Sequence, residues 1–339
     1  MTIKDIAKKA GVSMMTVSNV INQKHNRVSP KTIEKVNAII RESNYTPNLN
    51  ARSLSNKSSK IIGIIISIED TDSDINYFNN PYISTMIGVI EQELRHHGYF
   101  TMIRTVVSPS DIMKLLGGWG VDGILFLLHT NSNVEAFLES SSCPAAIFDS
   151  QLTLPHLINV SSHDENGLYL STSHLIACGH RHIAFLADYE GNPIYTKRFS
   201  GYCKALAEHN IPLRPEYLLK YPVSYEGGIE AVKELVTRNL PITGLVTVAD
   251  ICAIGVLEGA RLSGLSVPSD LSVIGYDNLA ICQFTYPKLT SISQDMTQKA
   301  VMATRLLLER IESGEMPQKS HITLDVTLVE RESVRKIES

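Results

Sequence analysis

The sequence predicts a chain of two parts, an all-α head with a helix-turn-helix unit and an α/β body of two lobes with parallel sheets. Apolar residues repeat at helical spacing up to residue 40. Beyond residue 60, short apolar runs alternate with amphipathic segments, the pattern of parallel sheets covered by helices. Residues 1–60 hold 11 Lys and Arg against 3 Asp and Glu, a net +8, whereas the remainder holds 20 against 32, a net −12.

Composition is that of a soluble globular protein, with 339 residues, 43% hydrophobic and 19% charged. This length suggests two or three compact units. The chain begins without an apolar signal segment, and no apolar run is long enough to cross a bilayer, so we expect a cytoplasmic protein with no membrane partner. The five cysteines are scattered and never form a CxxC pair, which predicts buried free thiols rather than disulfides.

Three short helices are predicted in the head. The first runs over residues 3–10 and ends at Gly11, the second begins after the N-cap residue Ser13, and the third begins at Ser29-Pro30. Two short helices joined by a glycine-containing turn and braced by a third form a helix-turn-helix unit. The apolar faces of the three helices consist of Ile3, Ile6, Ala7 and Ala10, of Val17, Val20 and Ile21, and of Ile33, Val36, Ile39 and Ile40.

Two adjacent methionines begin the second helix. If Val17, Val20 and Ile21 face the core, then Met14, Met15, Ser18 and Asn19 face outward. In a helix-turn-helix unit the second helix enters the major groove, where thymine methyls offer apolar contacts and Asn can pair with adenine. The alternative is that the methionines pack on a neighbouring helix, because methionine is a common core filler.

A basic head on an acidic body indicates a polyanionic partner, and the helical pattern favours double-stranded DNA over a merely solvated basic tail. Phosphate contacts are predicted for side chains that set register rather than sequence, namely Lys4, Thr16, Ser29 and Lys31. Since one head reads one half-site, we expect a homodimer on a pseudo-palindromic operator, in the cytoplasm and associated with the nucleoid. The segment 82–97 is a candidate dimer surface.

The runs TIKDIAKKAGVSMMTVSNVIN, VSPKTIEKV and NYTPNLNARSL resemble the N-terminal module of the LacI/GalR family of bacterial transcription repressors. The resemblance implies a DNA-binding domain over residues 1–47 and adds Asn22 and Asn48 to the expected DNA contacts. The family's usual arginine after TVS is replaced by Asn19, which favours adenine at that position of the half-site.

Residues 48–60 are predicted to form a hinge helix and linker. The eight residues 48–55 are too few to form an isolated helix in water, so they would become ordered only against a partner. The resemblance implies that this partner is the hinge helix of a second subunit in the minor groove, with Ala51 at the helix–helix contact and Leu54 wedged between base pairs. A flexible linker is the alternative.

The body, residues 61–339, is predicted to bind the effector and to dimerise. In open parallel sheets, ligands bind beyond the carboxyl ends of the strands, and four aspartates lie at or just past such ends: Asp149, Asp188, Asp250 and Asp277. Arg198 can reach the same space as a forked donor, and flat faces are expected from Tyr82, Tyr195 and Phe284. This set predicts a polyol or sugar site, although any one aspartate can instead cap a helix.

The body also resembles the family's effector domain, which is similar to periplasmic sugar-binding proteins, in runs such as VDGILFL, KRFSGY and SDLSVIGYDN. The resemblance matches Arg198 and Asp277 to effector-binding residues, whereas Ala249 and His163 depart from the family pattern. It implies three chain crossings between the lobes. We place the first lobe at about 61–160 and 292–320, and the second at about 161–291 and 321–339.

The hypothesis is therefore a repressor of carbohydrate-utilisation genes, released from its operator by a sugar or sugar derivative. A closed cleft would separate the paired first lobes and melt the hinge. Two alternatives remain, namely a corepressor-dependent regulator that responds to a nucleobase or a partner protein, and a sugar-processing enzyme with a DNA-binding appendage. We expect no metal, because the spacing of His174, His180 and His182 does not ensure convergence, and no cofactor or catalytic motif is evident.

Overall fold

The computed structural model describes residues 1–21, 25–43, 45, 58–67, 76–106, 109–127 and 132–337. The predicted DNA contacts Asn22, Asn48, Ala51 and Leu54 lie outside these residues. The chain divides into two units, Met1–Lys60 and Ile61–Ser339. None of the helices in the described part of the chain has the length and apolar character that crossing a bilayer requires.

The described residues of the first unit form three α-helices, α1 (Ile3–Ala10), α2 (Met14–Ile21) and α3 (Pro30–Glu42). Thr2 and Asp5 form a capping box at the start of α1, and Gly11 ends it in the left-handed conformation, with φ 69°. Ser29 caps α3 by accepting from the Thr32 backbone N–H at 3.3 Å. The core lies where the helices meet and consists of Ile6, Ala7, Ala10, Val17, Val20 and Val36.

The first sheet of the second unit is parallel throughout. Its order is β11-β5-β4-β3-β1-β2. The strands are β1 (Ile61–Ser67), β2 (Phe100–Val106), β3 (Gly123–Leu127), β4 (Ala145–Phe148), β5 (Leu157–Ser162) and β11 (His321–Leu324). β3 and β4 are buried along their whole length, as expected for parallel strands covered on both faces.

The second sheet has the order β12-β10-β9-β8-β6-β7. It is parallel except for β12, which runs antiparallel to β10. The strands are β6 (Ile183–Leu186), β7 (Leu218–Leu219), β8 (Gly244–Thr247), β9 (Ser272–Asp277), β10 (Thr290–Ser293) and β12 (Thr327–Val329). Each sheet forms the centre of one lobe, so the predicted fold class is confirmed.

Helices flank both sheets. In chain order they are α4 (Pro81–His96), α5 (Pro109–Trp119), α6 (Ser132–Ser140), α7 (Asp164–Ala177), α8 (Pro193–Glu208), α9 (Tyr225–Thr237), α10 (Asp250–Leu262) and α11 (Met296–Ser313). α9 and α10 approach closely: a Cβ on Gly255 would lie 2.0 Å from the Tyr225 carbonyl oxygen, so this contact requires glycine.

The chain passes between the lobes after β5, after β10 and between β11 and β12. The last boundary differs from the predicted one at 320/321, because His321 pairs in register with Asn159 and β11 therefore belongs to the first lobe. The boundary at 291/292 is also too early, since β10 continues to Ser293 beside β9. The short runs HITL and TSIS are typical of strands, but they contain no signal for the sheet they join.

Candidate functional site

The outward face of α2 is apolar at its N-terminal end. Met14 is 56% exposed and Met15 is 71% exposed, whereas Val17 and Val20 are buried in the core of the head. Within the described residues the methionines therefore do not pack on a neighbouring helix, and the alternative interpretation is wrong there. Ser18 and Asn19 are half-buried on the same helix.

The predicted phosphate contacts lie at the surface of the head. Lys4 and Lys31 are exposed, and the Ser29 hydroxyl lies at the N-terminus of α3 within 2.8 Å of the Thr32 hydroxyl. Thr16 lies in the first turn of α2, where its hydroxyl pairs with that of Ser13 at 2.9 Å. Both helix N-termini therefore present backbone N–H groups beside hydroxyls, an arrangement suited to phosphate oxygens.

A cleft of about 590 Å³ opens beyond the carboxyl ends of strands from both sheets, as the strand-end rule predicts. Six of the eight predicted effector residues line it: Tyr82, Asp149, Asp188, Tyr195, Arg198 and Asp277. Apolar walls come from both lobes and include Phe148, Ile194, Val223 and Leu279. A cleft of this size with a few convergent polar groups is typical of a small-molecule site.

The structure does not bring the other two predicted residues to the cleft. Asp250 begins α10 and is fully buried, and its carboxylate accepts from the Leu279 N–H at 2.7 Å and the Ser291 hydroxyl at 2.6 Å. Burial raises the pKa of Asp250 to about 6 despite these donors. Phe284 is 81% exposed outside the residues that line the cleft. Both assignments are wrong. For Asp250, proximity to a strand end does not fix the direction of the side chain, and Phe284 lies at the exposed end of a 3-10 helix, Ala280–Gln283.

Arg198 is anchored on the second lobe by three groups. Its Nε and Nη2 atoms donate to Asp164 Oδ1 at 2.8 and 2.7 Å, and Nη1 donates to the Val248 carbonyl at 2.5 Å. The guanidinium carbon lies 3.6 Å from the centre of the Tyr276 ring. Burial opposes the charge, but Asp164 outweighs it, and the pKa of Arg198 is raised above its ordinary value. Arg198 is therefore a fixed cation whose remaining N–H groups can donate into the cleft.

Asp149 faces a buried lysine of the first lobe. Lys299 on α11 is fully buried, and its ammonium donates to Asp149 Oδ1 and Oδ2 at 2.8 and 2.9 Å. The Tyr82 hydroxyl also donates to Asp149, at 3.4 Å, and burial followed by the charge of Asp149 raises the pKa of this phenol well above its ordinary value. The Asp149 charge is thus compensated within the protein.

Gln294 connects the two lobes. It follows β10 on the second crossing, and its Oε1 accepts from Lys299 Nζ at 2.7 Å. Its Nε2 donates to Asp277 Oδ1 at 2.5 Å. Since the ammonium of Lys299 can only donate, it fixes the orientation of the amide and directs the NH₂ group to Asp277.

Asp277 ends β9 with φ 114°, a conformation that few non-glycine residues adopt, and it is 6% exposed. Burial raises the pKa of Asp277 to about 8, although Arg198 nearby opposes this shift. Near neutral pH it therefore carries a proton for much of the time and can both donate and accept a hydrogen bond. Strained, desolvated carboxyl groups of this kind cluster at functional sites.

Sequence reasoning missed three residues of this site, Asp164, Gln294 and Lys299. Asp164 begins the run DEN that follows β5, and Gln294 lies in the run SQDM, so both are in segments that the resemblance covers. Nothing in the sequence distinguishes Lys299 from an exposed helical lysine. Only the packing of α11 on the first sheet shows that it is buried.

Most of the charged side chains around the cleft are paired within the protein. Arg198 is paired with Asp164, Lys299 with Asp149, and Lys220 with Glu190 at the rim. Asp188 is exposed, and Asp277 has one oxygen that Gln294 does not occupy. Such a site suits a ligand with several hydrogen-bond donors, such as hydroxyl groups. The described residues contain no group of three or more His, Cys, Asp or Glu side chains suited to a metal ion.

Two family models match the chain. The model described as bacterial regulatory proteins, lacI family, matches residues 2–48. The model described as a periplasmic binding protein-like domain matches residues 172–334. The first match covers the helices of the head, and the second includes Arg198, Asp277, Gln294 and Lys299.

Related proteins match along nearly the whole chain. The HTH-type transcriptional repressor PurR of Actinobacillus pleuropneumoniae is 33% identical over 343 residues, 99% of both chains, and that of Haemophilus influenzae is 31% identical over 344 residues, also 99% of both. Among solved structures, a lac repressor dimer bound to operator and the anti-inducer ONPF has a TM-score of 0.85, with 28% identity over 99% of both chains. A complex of the transcriptional regulator CelR with cellobiose has a TM-score of 0.71, with 27% identity over 98% and 99% of the two chains.

Proposed function

Because the chain belongs to the LacI family of bacterial regulatory proteins and is a DNA-binding transcription repressor, we propose that a sugar or sugar derivative in its cleft controls its binding to operator DNA. The observation that supports this most directly is the convergence of polar groups from both lobes on one cleft. Asp149 belongs to the first lobe and Asp277 to the second, and Gln294 lies on the crossing between them. A ligand with hydroxyl groups can bond to both lobes at once.

Aromatic and apolar walls complement these polar groups. Tyr82, Tyr195 and Phe148 give flat faces against which the C–H face of a sugar ring can pack. The cellobiose complex of CelR and a ribose complex of a LacI-family regulator from Enterococcus faecium, 27% identical over 81% of this chain with a TM-score of 0.71, show that related folds hold sugars. These neighbours support a sugar as the ligand class.

Control of DNA binding follows from differential affinity. A ligand that contacts both lobes favours the arrangement in which its contacts are complete, so it shifts the population of lobe arrangements. We propose that the protein acts as a cytoplasmic homodimer, and that the arrangement of the paired first lobes determines whether the hinge segment 48–60 can order on DNA. We expect that ligand binding weakens operator binding, so that the ligand releases the protein from its operator.

A nucleobase that strengthens operator binding is the second candidate. The relatives named PurR share up to 33% of residues with this chain, more than the 27% shared by the cellobiose and ribose complexes. A planar, donor-bearing base can also pack against a tyrosine of the cleft. Enzymatic processing of a sugar has no comparable support, because the chain's relatives are transcription regulators.

Thermal unfolding of the full-length protein, with monosaccharides, disaccharides and nucleobases added one at a time, tests the proposal. A ligand at 100 times its Kd stabilises the folded state by about 2.7 kcal/mol. Any compound that raises the melting temperature is then added to an operator-binding titration. Weaker DNA binding with a sugar supports induction, whereas stronger binding with a nucleobase supports the second candidate.

Two variants show whether the compound acts through the cleft. Asp277→Ala removes the buried carboxyl group with both of its hydrogen-bonding oxygens and should remove most of the ligand-induced shift, whereas Glu309→Gln changes an exposed carboxylate on α11 and should leave it intact. Equal shifts in both variants would place the ligand elsewhere. The absence of a shift with every sugar and nucleobase would refute both candidates.

A further inference from the structure

The outward face of α2 combines two properties, the absence of charge and an exposed pair of apolar side chains. The sequence MMTVSNVI contains no charged residue, and its two adjacent methionines are 56% and 71% exposed. The neighbouring helices of the head carry exposed lysines, Lys4, Lys8 and Lys9 on α1 and Lys31 on α3. The helix expected to meet the bases is therefore uncharged.

Base edges in the major groove are almost entirely polar. They present nitrogen and oxygen acceptors and amino donors, and the one apolar group among them is the C5 methyl of thymine. An exposed methionine gains nothing from the polar edges and would desolvate them, whereas contact with a methyl group removes apolar surface of both partners from water. The flexible thioether chain can also adjust to the position of the methyl.

We propose that Met14 and Met15 read thymine methyl groups, so that base selection at the N-terminal end of α2 depends on methyl contacts and not on charge. The inference rests on the DNA-binding function of the head and deepens it. Affinity for DNA and selectivity among base sequences then come from different helices. The lysines of α1 and α3 supply salt-dependent affinity through phosphates, and α2 supplies a selectivity that salt does not screen.

The other possible occupant of this surface is a second copy of the head, whose methionines would bury each other. The net charge of +8 on residues 1–60 disfavours this pairing, because two such heads repel each other while each attracts DNA. The experiment below distinguishes the two occupants.

The preferred operator is first obtained by selection from random duplexes with the full-length protein at low salt. Each thymine of the selected half-site is then replaced in turn by deoxyuridine, in both half-sites together. Deoxyuridine pairs as thymine does and differs only by the missing methyl. We expect one or two thymines at which the Kd rises about fourfold per methyl removed, or about 16-fold for the pair of half-sites, from the transfer free energy of a buried methylene group.

The salt dependence of binding distinguishes a methyl contact from an electrostatic contact. Titrations of the thymine and deoxyuridine operators from about 50 to 200 mM salt should give two parallel lines of log Kd against log salt, because the same phosphates are contacted in both complexes. A deoxyuridine penalty that disappears as salt rises would contradict a methyl contact and would overturn the assignment.

Two substitutions at the same position assign the contact to the methionines. Met15→Gln keeps the length of the side chain but makes it polar, and it should bind the two operators within about twofold of each other. Met15→Leu stays apolar and should retain the penalty. Met14→Gln and Met14→Leu form the same pair for the neighbouring residue. These exposed side chains do not belong to the core, so the variants should fold.

Each result decides between the hypotheses. Equal binding of thymine and deoxyuridine duplexes at every position overturns the inference but leaves DNA binding intact. A change of oligomeric state in Met15→Gln without a change in operator preference assigns the surface to a second copy and also overturns it. Failure of the protein to prefer any selected duplex over random competitor removes the function on which the inference rests.

Discussion

The outward face of α2 and the cleft of the body hold the side chains proposed to be functional in opposite ways. Met14 and Met15 are more than half exposed, and the core beneath them is complete without them. In the cleft, Arg198 and Lys299 are 5% and 0% exposed and are bonded to Asp164 and Asp149. The comparison indicates that substitutions on α2 change binding at little cost in stability, whereas substitutions in the cleft change both.

Lys299→Met should produce the largest effect on stability. It leaves the carboxylate of Asp149 buried without its cation, and loss of one partner of a buried pair costs about 3–5 kcal/mol in the free energy of unfolding. Urea unfolding measures the change. The double variant Lys299→Met, Asp149→Asn removes both charges and should recover much of the loss. If single and double variants were equally destabilised, the pairing would not be the cause.

Asp277→Asn should change the pH dependence of stability. Burial raises the pKa of Asp277 from its ordinary value of 3.8 to about 8, so between these values the folded protein holds a proton that the unfolded chain has lost. This contribution is complete below about pH 4 and is lost as the pH rises through 8. The wild type should therefore lose stability relative to Asp277→Asn over this range, by up to about 1.4 kcal/mol per pH unit, and should run parallel to it above pH 8.

Unfolding titrations of both proteins between about pH 5 and pH 9 test this expectation. Asp250, whose pKa burial raises to about 6, is present in both proteins, but its charge also raises the pKa of Asp277, so the difference reports the titration of the two carboxyl groups together. A constant difference would mean that Asp277 is ionised in the folded protein throughout this pH range, and would contradict the raised pKa.

Ser29→Ala should cost about 1 kcal/mol, the usual value of a helix N-cap, because it removes the acceptor of the Thr32 backbone N–H at the start of α3. Thermal unfolding of the head is the appropriate measurement. Ser29→Thr keeps the hydroxyl and serves as the control. An equal loss in both variants would show that the hydroxyl does not stabilise the helix.

Met15→Gln should have the smallest effect on folding, within about 0.5 kcal/mol, because the side chain is 71% exposed. The same variant should lose its preference for thymine over deoxyuridine. A large loss of stability together with altered binding would break the contrast between the two regions, since it would show that this methionine supports the fold.

Sequence reasoning correctly predicted the positions of residues that follow from the periodicity of their own helix or strand. The spacing of Val17 and Val20 fixes the buried side of α2, and the outward direction of Met14 and Met15 follows from helix geometry alone. Strand ends likewise brought Asp149 and Asp277 to one cleft. In both cases a local periodicity determines the position of the residue.

The remainder of the cleft depends on contacts between distant segments. Lys299 pairs with a residue 150 positions earlier, and Asp250 turns towards Leu279 and Ser291 rather than the cleft. The register of β11 with β5 joins segments 162 residues apart. No local pattern contains these pairings, so Lys299 and Asp164 were missed and Asp250, Phe284 and the boundary at 320/321 were misplaced.

The place of β11 in the first sheet has a consequence for biosynthesis. The first lobe begins with Ile61, yet its edge strand ends at Leu324, and the helix that covers its sheet, α11, spans Met296–Ser313. A ribosome must therefore make nearly the whole protein before the lobe can close its own core. Until β11 is made, the outer edge of β5 has no strand partner. Unpaired strand edges of this kind are prone to aggregate, and chaperones counteract such aggregation during synthesis.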